Sequence, residues 1–291
     1  MIELIQQSPT FFIGFTFVLS LLVGSFLNVV IYRLPVMMKR EWEAEVQAYQ
    51  SDAKGEQAES QKHETFNLIK PDSRCPKCNH KIRAWENIPV LSWLFLGGKC
   101  SACKALISFR YPAIELLTAV LSALAAYQLG YSPFTLAFIF GTWLLVAMTF
   151  IDIDEMLLPD TLTLSFLWLG LLVIAVFEPT QLVDAVYGAV AGYLSLFTVY
   201  WLFKLATGKE GMGFGDFKLL AAIGAWVGWQ HLPIVILLSS VVGAVVGIGL
   251  MIAQRKGTSL AIPFGPYLAA AGYLTVLYGN DIAAWYLNTL I

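Results

Sequence analysis

The fold of this chain is decided by the stretch Gly211-Met212-Gly213-Phe214-Gly215-Asp216-Phe217-Lys218. Glycines at alternate positions let the backbone approach a neighbour closely, and a long apolar segment begins directly after Asp216. The stretch therefore predicts the start of a membrane helix with a carboxylate at its N-terminus. Because an ionisable group at membrane depth is costly, Asp216 is a candidate functional residue.

The composition of the whole chain agrees with a membrane setting. Of the 291 residues, 58% are hydrophobic and only 13% are charged. This is more apolar surface than a single soluble core buries, so a large part of it must face lipid. We therefore expect an all-α polytopic membrane protein in contact with the lipid bilayer, and no nucleic-acid partner.

Eight apolar segments are long enough, or nearly so, to cross a hydrocarbon core of roughly 30 Å. They cover residues 11–32, 113–129, 134–150, 162–177, 183–203, 217–229, 232–252 and 264–287. The first is predicted to be an uncleaved span, because no basic region precedes it and no small-residue cleavage pattern follows. The short segment 217–229 is expected to be tilted or partly buried by its neighbours.

The basic residues predict the orientation. If the loop after the first span is cytoplasmic, all 18 Lys and Arg fall on the cytosolic side, within residues 33–110, 204–218 and 255–256. The positive-inside rule then places both termini on the opposite side of the membrane. Residues 39–64, rich in Glu, Gln, Lys and Ala, are predicted to be a solvated helix or a mobile insert.

The four cysteines form two C-x-x-C pairs in the polar region between the first two spans: Cys75, Cys78, Cys100 and Cys103. This spacing is typical of a zinc ribbon, in which each pair presents two thiolates to one tetrahedral metal. Two disulfides are the alternative, but a reducing cytosol disfavours them. We therefore predict a structural zinc site that holds a small cytosolic lobe against the spans, near Arg110 and Glu115.

A second acidic stretch, residues 151–160 (IDIDEMLLPD), lies at the same membrane depth and on the same face as Asp216. It follows the third span, and Pro159 favours a turn that makes residues 152–160 a short hairpin-like segment. A structural role is also open, since Asp160 and Asp216 stand where acids cap or stabilise helix N-termini. We favour capping for Asp160, whereas capping alone does not explain the glycines before Asp216.

Two aspartates at one membrane face are suited to peptide hydrolysis. No serine or cysteine nucleophile stands beside a histidine, and no phosphate-binding glycine loop is present. Two carboxylates held close together do not both ionise, so one remains a base and the other a neutral acid. The base takes a proton from water while the acid hydrogen-bonds the carbonyl under attack.

The motif Gly213-Phe214-Gly215-Asp216 matches the GxGD signature of membrane-embedded aspartic proteases. Together with residues 24–35 (GSFLNVVIYRLP), the two C-x-x-C pairs and residues 152–160, it resembles the type IV prepilin peptidases over nearly the whole chain. These are bifunctional leader peptidase/N-methyltransferases of bacterial type IV pilus and type II secretion systems. The GxGD motif alone is a weak signal, but the combination of these features in this order is highly specific.

The resemblance implies cleavage of prepilins and pseudopilins after a glycine, on the cytosolic side of the bacterial inner membrane. It implies catalysis by Asp152 and Asp216, with Gly213 and Gly215 as supporting motif residues. Asp152 is preferred over Asp154 because shorter relatives carry a single aspartate seven positions before the proline. The resemblance also implies N-methylation of the new N-terminal residue, usually Phe, with S-adenosylmethionine; the sequence names no residue that binds this methyl donor.

The expected organisation has four parts. Residues 1–32 form the first transmembrane helix, and residues 33–112 form the cytosolic lobe linked to N-methylation. Residues 113–253 form the aspartic peptidase core, and residues 254–291 form the last cytosolic loop and the final transmembrane helix.

Three other functions remain open on the residues alone. A transporter would use the two aspartates as a proton or cation relay, but the outer halves of the spans offer few polar residues to continue such a path. A zinc-lobed assembly scaffold would not need the aspartates at all. An intramembrane protease acting on other helices would need the same dyad but would not require a basic leader in its substrate.

Overall fold

The structure is a computed structural model that describes residues 8–54, 66–254 and 262–290. The α-helices of these residues are α1 (Pro9–Lys54), α2 (Leu91–Phe95), α3 (Arg110–Leu129), α4 (Pro133–Glu155), α5 (Asp160–Phe177), α6 (Leu182–Thr207), α7 (Phe214–Val227), α8 (Leu232–Gln254) and α9 (Gly265–Leu290). Each of the eight predicted apolar segments corresponds to one of these helices, and only the short α2 was not predicted. The all-α fold class is therefore confirmed.

Six helices of the described residues are long and apolar enough to cross a membrane: α1, α3, α4, α5, α6 and α8. The other two predicted spans do not meet this measure, since α7 has 14 residues and α9 carries Asn280 and Asp281 in its second half. The polytopic membrane character is thus confirmed. That α7 and α9 also cross the bilayer stays a prediction.

The chain divides into two compact units, residues 17–120 and residues 1–16 with 121–291. In the second, larger unit α7 is the central helix, with residues 219–226 all buried. Its Trp226 stacks on Phe166 of α5 and meets the edge of Phe134 of α4, with centroid distances of 5.3 and 5.5 Å. The predicted burial of this short segment by its neighbours is therefore confirmed.

The smaller unit contains most of α1 and the polar lobe that precedes α3. Helix α1 does not stop at residue 32 but continues through Pro35 to Lys54. Residues 39–50 of it are exposed, as expected for a helix whose polar half lies in water. The solvated-helix interpretation is confirmed as far as Lys54, and residues 55–64 of the predicted insert lie outside the described residues.

A close glycine contact joins α6 to α7 and gives a first testable prediction. A Cβ added to Gly224 would collide with the backbone of Gly188 and approach the amide nitrogen of Ala189 to 3.2 Å. We expect Gly224→Ala to lower the free energy of unfolding in detergent micelles by about 1–3 kcal/mol, because the two helices must separate. The measurement is denaturant unfolding followed by far-UV circular dichroism.

The matched control is Gly249→Ala in α8, where an added Cβ meets no atom within 4 Å. This variant should be neutral or slightly stabilising, because alanine has the higher helix propensity. Equal losses in the two variants would contradict the proposed importance of the glycine contact.

Candidate active site and metal centre

The acidic stretch at residues 151–160 ends a helix rather than forming the predicted short hairpin-like segment. Met156 adopts a left-handed conformation with φ of 51°, and its amide N–H donates to the carbonyl oxygen of Asp152, which ends α4 at Glu155. Pro159 then precedes the first residue of α5. The turn is thus limited to residues 156–159, and Asp152 lies in the last turn of α4. The predicted hairpin over residues 152–160 was too long.

The carboxylate of Asp152 is fixed by the beginning of α9. The backbone N–H of Gly265 donates to Oδ2 of Asp152 over 3.0 Å, and the aspartate is only 5% exposed. A Cβ at position 265 would lie 2.6 Å from the same oxygen, which is closer than real Cβ contacts allow. Only glycine can therefore bring this amide so close to the carboxylate.

Asp216 is held at the start of α7. Gly213 is the N-cap residue of this helix, and its backbone amide hydrogen-bonds the Asp216 carboxylate. Asp216 is 8% exposed, and the charge of Asp152 acts on it electrostatically. The structure thus brings together the two aspartates named from the sequence. Asp216 also has the helix-stabilising position that the alternative interpretation assigned to it.

One leucine side chain fills the space between the glycines of the two segments. Leu158, in the turn between α4 and α5, is buried. It lies 2.8 Å from a Cβ built on Gly215 and 3.3 Å from a Cβ built on Gly265. The turn after Asp152 therefore packs against the start of α7 and the start of α9 at once. Any larger residue at 215 would push this turn away from α7.

Two other acids near the dyad, Asp160 and Asp154, differ from Asp152 and Asp216 because both are exposed. Asp160 makes no capping hydrogen bond, because the N-cap of α5 is Pro159. Instead, both of its carboxylate oxygens accept from the Lys218 ammonium at 2.7 Å. The predicted capping role of Asp160 was therefore wrong, since a cation one turn into α7 competes for the carboxylate. Asp154 is exposed on the surface of α4.

Sequence reasoning did not find Gly265. The residue stands between Pro263 and Pro266, directly before a helix. A glycine enclosed by prolines is a signal for a constrained turn, and proline favours the first helical turn. That signal predicts a fixed backbone at the start of α9 but does not tell which side chain its amide binds.

The four cysteines form two equivalent turns, here called the knuckles, at residues 74–81 and 99–106. In each knuckle the residue after the second cysteine has a positive φ, 56° at Asn79 and 58° at Lys104. Its amide donates to the carbonyl of the first cysteine at 2.9 and 3.1 Å. A single antiparallel bridge closes each turn, Arg74 with Lys81 and Lys99 with Leu106.

The sulfur atoms have the spacing that a metal requires. The Sγ distance is 3.8 Å from Cys75 to Cys103 and 3.9 Å from Cys78 to Cys100. All four sulfurs lie within 4.8 Å of one another, and none forms a disulfide. A tetrahedral zinc with Zn–S bonds of about 2.3 Å places its ligands about 3.8 Å apart. The residues present therefore fit a four-thiolate metal centre.

The backbone of each knuckle favours the thiolate form that binds metals. The amides of Cys78 and Lys77 hydrogen-bond the Cys75 sulfur and lower the pKa of that thiol to about 6. The two amides at the equivalent positions of the second knuckle lower the pKa of the Cys100 thiol. Because metal ligands must be deprotonated, this arrangement prepares Cys75 and Cys100 to bind a cation at neutral pH. At Cys78 a backbone hydrogen bond from His80 acts in the same direction, but burial and the other three thiols outweigh it and raise the pKa of that thiol to about 12.

The lobe is also bound to its own membrane helix. Oε2 of Glu115, in α3, accepts a 2.7 Å hydrogen bond from the backbone N–H of Val90. Val90 has φ of 59°, which is rare for a β-branched residue. Earlier in the chain, the Arg33 guanidinium donates to the carbonyls of Asn67 and Pro71. The predicted attachment near Glu115 is therefore present within the smaller unit.

Comparison with known proteins gives two family matches along the chain. Residues 18–129 match the bacterial peptidase A24 N-terminal domain. Residues 138–248 match the type IV leader peptidase family. The first match contains both knuckles, and the second contains Asp152 and Asp216. No solved structure matches the chain.

Several curated relatives are similar over their whole length, and each is named prepilin leader peptidase/N-methyltransferase. The protein of Aeromonas salmonicida is 55% identical, covering 100% of this chain and 99% of its own. Those of Pseudomonas aeruginosa and Neisseria gonorrhoeae are 52% and 49% identical and cover 99% and 97% of this chain, and 98% and 95% of their own. From this identity over full length, the chain belongs to the type IV leader peptidase family.

Proposed function

We propose that this protein cleaves the basic leader of prepilins and methylates the new N-terminal residue. The observation that carries the proposal is the pairing of two buried aspartates, Asp152 and Asp216, each held by a backbone amide of a glycine. Buried acids at membrane depth are costly and are rarely kept without a function. The names of the full-length relatives agree with both activities.

In the proposed peptidase mechanism the two carboxylates share one proton. The ionised aspartate takes a proton from a water molecule, and the resulting hydroxide adds to the carbonyl carbon of the scissile bond. The neutral aspartate hydrogen-bonds and then protonates the carbonyl oxygen. When the C–N bond breaks, the aspartate that took the water proton gives it to the departing amine, and the other aspartate takes back a proton from one hydroxyl of the tetrahedral intermediate. Either aspartate can be the initial base.

Gly213 and Gly265 support this chemistry through their backbone amides. Each N–H holds one carboxylate in place without using a side chain. Gly215 supports this chemistry because it has no side chain, which leaves room for Leu158 to pack beside α7. A dyad fixed in this way is preorganised, so little reorientation is needed when a peptide enters.

We further propose that the dyad faces the cytosol at the bacterial inner membrane, with both termini in the periplasm. The location of the basic residues supports this orientation. A dyad on that face lies where a short basic leader meets the hydrophobic helix that follows it. The substrates in this proposal are prepilins and the related pseudopilins, taken from the lipid bilayer.

The methyltransferase half belongs in this proposal to residues 33–112, and the peptidase half to residues 113–253 with the first turn of α9. S-adenosylmethionine supplies the methyl group when it is bound. The four cysteines are proposed to hold a structural zinc ion, because four thiolates leave no open position for catalysis. Their role is then to keep the lobe folded.

A direct test is to mix the purified protein in detergent micelles with a purified prepilin and S-adenosylmethionine. The mass of the pilin should decrease by the mass of the leader peptide and increase by the mass of a single methyl group. A prepilin whose last leader residue is changed from Gly to Val should remain intact. An uncut wild-type prepilin would overturn the proposal and favour a scaffold or a transporter.

The Gly265 amide gives a further prediction. Gly265→Ala should lower kcat for cleavage by about a hundredfold, because its Cβ displaces the Asp152 carboxylate by a fraction of an ångström. The measurement is steady-state cleavage of a fluorescent prepilin. Gly14→Ala, at a position with nothing within 4 Å of an added Cβ, is the control. Unchanged kcat in Gly265→Ala would show that this amide does not position the dyad.

A further inference from the structure

An apolar groove lies next to the two aspartates in the larger unit. It has a volume of about 370 Å³ and is lined by α6, α8 and the residues around the start of α9. Val199 of α6 and both Ser240 and Ala244 of α8 line its sides, and all three are exposed. The groove therefore opens on the outer faces of two helices that are apolar enough to cross a membrane.

The groove continues from the dyad along the backbone. Met212 and Phe264 both line it. Each directly precedes a glycine whose amide holds one of the aspartates, Gly213 and Gly265. Successive Cα atoms are 3.8 Å apart. A polypeptide that lies between the carboxylates therefore reaches the groove within a few residues of the bond to be cut.

The lining of the groove identifies the chemistry of its occupant. Among the described residues no charged side chain lines it, and the hydroxyl groups in its lining are those of Ser240 and Tyr267. Beside it, α8 exposes further apolar side chains such as Val241 and Val245. An apolar segment already in the bilayer can enter such a groove from the side without exposing polar backbone, provided that the segment is helical.

We infer that this groove binds the apolar helix of the substrate directly after the scissile bond. The inference rests on the proposed function and adds to it where the enzyme grips its substrate. The continuity of the groove with the dyad favours the substrate over an acyl chain. An acyl chain gains no interaction from ending beside two carboxylates, whereas a substrate must reach them. The basic leader then lies on the other side of the dyad, outside this apolar surface.

The first test uses kinetics with two substrates, a full-length prepilin and a peptide that ends shortly after the cleavage site and lacks the apolar helix. Ala244→Trp should fill the groove and lower kcat/KM for the full-length prepilin by about tenfold, mainly through KM. The same variant should cut the short peptide at the wild-type rate, which shows that it is folded. Val245→Trp, the next position on α8 but outside the groove, is the matched control.

The second test uses photo-crosslinking. A benzoylphenylalanine at position 240 or 244 of the cleavage-deficient Asp216→Asn variant should crosslink to prepilin in liposomes, and one at 241 or 245 should not. Crosslinks to lipid alone, or to a second copy of the enzyme alone, would overturn the inference.

The outcomes separate the inference from the function beneath it. Wild-type cleavage of the full-length prepilin together with an undiminished rate in Ala244→Trp would overturn the groove assignment and leave the proposed function intact. Failure of the wild-type enzyme to cut the prepilin would overturn both. A loss in Ala244→Trp restricted to the full-length substrate would support both.

Discussion

Asp152→Asn and Asp216→Asn are each expected to reduce prepilin cleavage by about three orders of magnitude or more, because neither remaining carboxylate can act as both acid and base. Asparagine keeps the shape of the side chain, and its amide oxygen can still accept the hydrogen bond from Gly265 or Gly213. The loss therefore reports chemistry rather than folding. The measurement is cleavage of purified prepilin by membranes that contain equal amounts of each variant.

The controls for this prediction are available in the same chain. Asp154→Asn, two residues from Asp152 but exposed, should remain largely active. Both dyad variants should still methylate a pilin that was cut beforehand, since the proposed methyltransferase residues lie elsewhere in the chain. If Asp154→Asn is inactive while Asp152→Asn cuts, the first aspartate is misassigned. Normal cleavage by all three variants would refute the aspartic mechanism.

The second large effect is expected at the cysteines. Cys75→Ser should leave the purified protein nearly free of zinc, because a neutral hydroxyl replaces a thiolate of a four-thiolate site. The lobe should then lose its structure, since a structural zinc supplies about 10 kcal/mol or more of folding free energy. Zinc content by atomic emission and trypsin sensitivity of residues 66–109 measure the two results. Methylation should fall with them.

Ala102→Ser is the matched control for the cysteine variant. It adds a hydroxyl within the second knuckle but removes no thiolate, and Ala102 is exposed. Its zinc content and its resistance to trypsin should equal those of the wild type. If Cys75→Ser also retained zinc and an intact lobe, the four sulfurs would not form a structural metal centre.

The sequence allowed two kinds of feature to be predicted well. The eight apolar segments correspond to helices because hydropathy over many residues is a strong, additive signal. The convergence of the four cysteines was predictable because each C-x-x-C turn is a local structure. Only the meeting of the two turns depends on residues far apart in the chain. The pairing of Asp152 with Asp216 needed more, since it depended on orientation deduced from the basic residues.

Other features depended on contacts between residues far apart in the chain. Asp160 follows the pattern of a helix cap, but Lys218, 58 positions away, takes its carboxylate. The Gly265 amide reaches Asp152 across 113 positions. Neither contact has a periodicity or a spacing that a single sequence displays. The continuation of α1 past residue 32 was missed for a different reason, because a change from apolar to polar residues marks the membrane surface and not a helix end.

The bond between Gly265 and Asp152 has a consequence for how the protein is made. A chain is synthesised and inserted from its N-terminus, and the amide that fixes Asp152 belongs to α9, which is made after both aspartates. Until that helix emerges from the ribosome, the growing polypeptide contains both acids without the group that orients one of them. We therefore expect a nascent chain, or one truncated before α9, to be inactive until that helix is made.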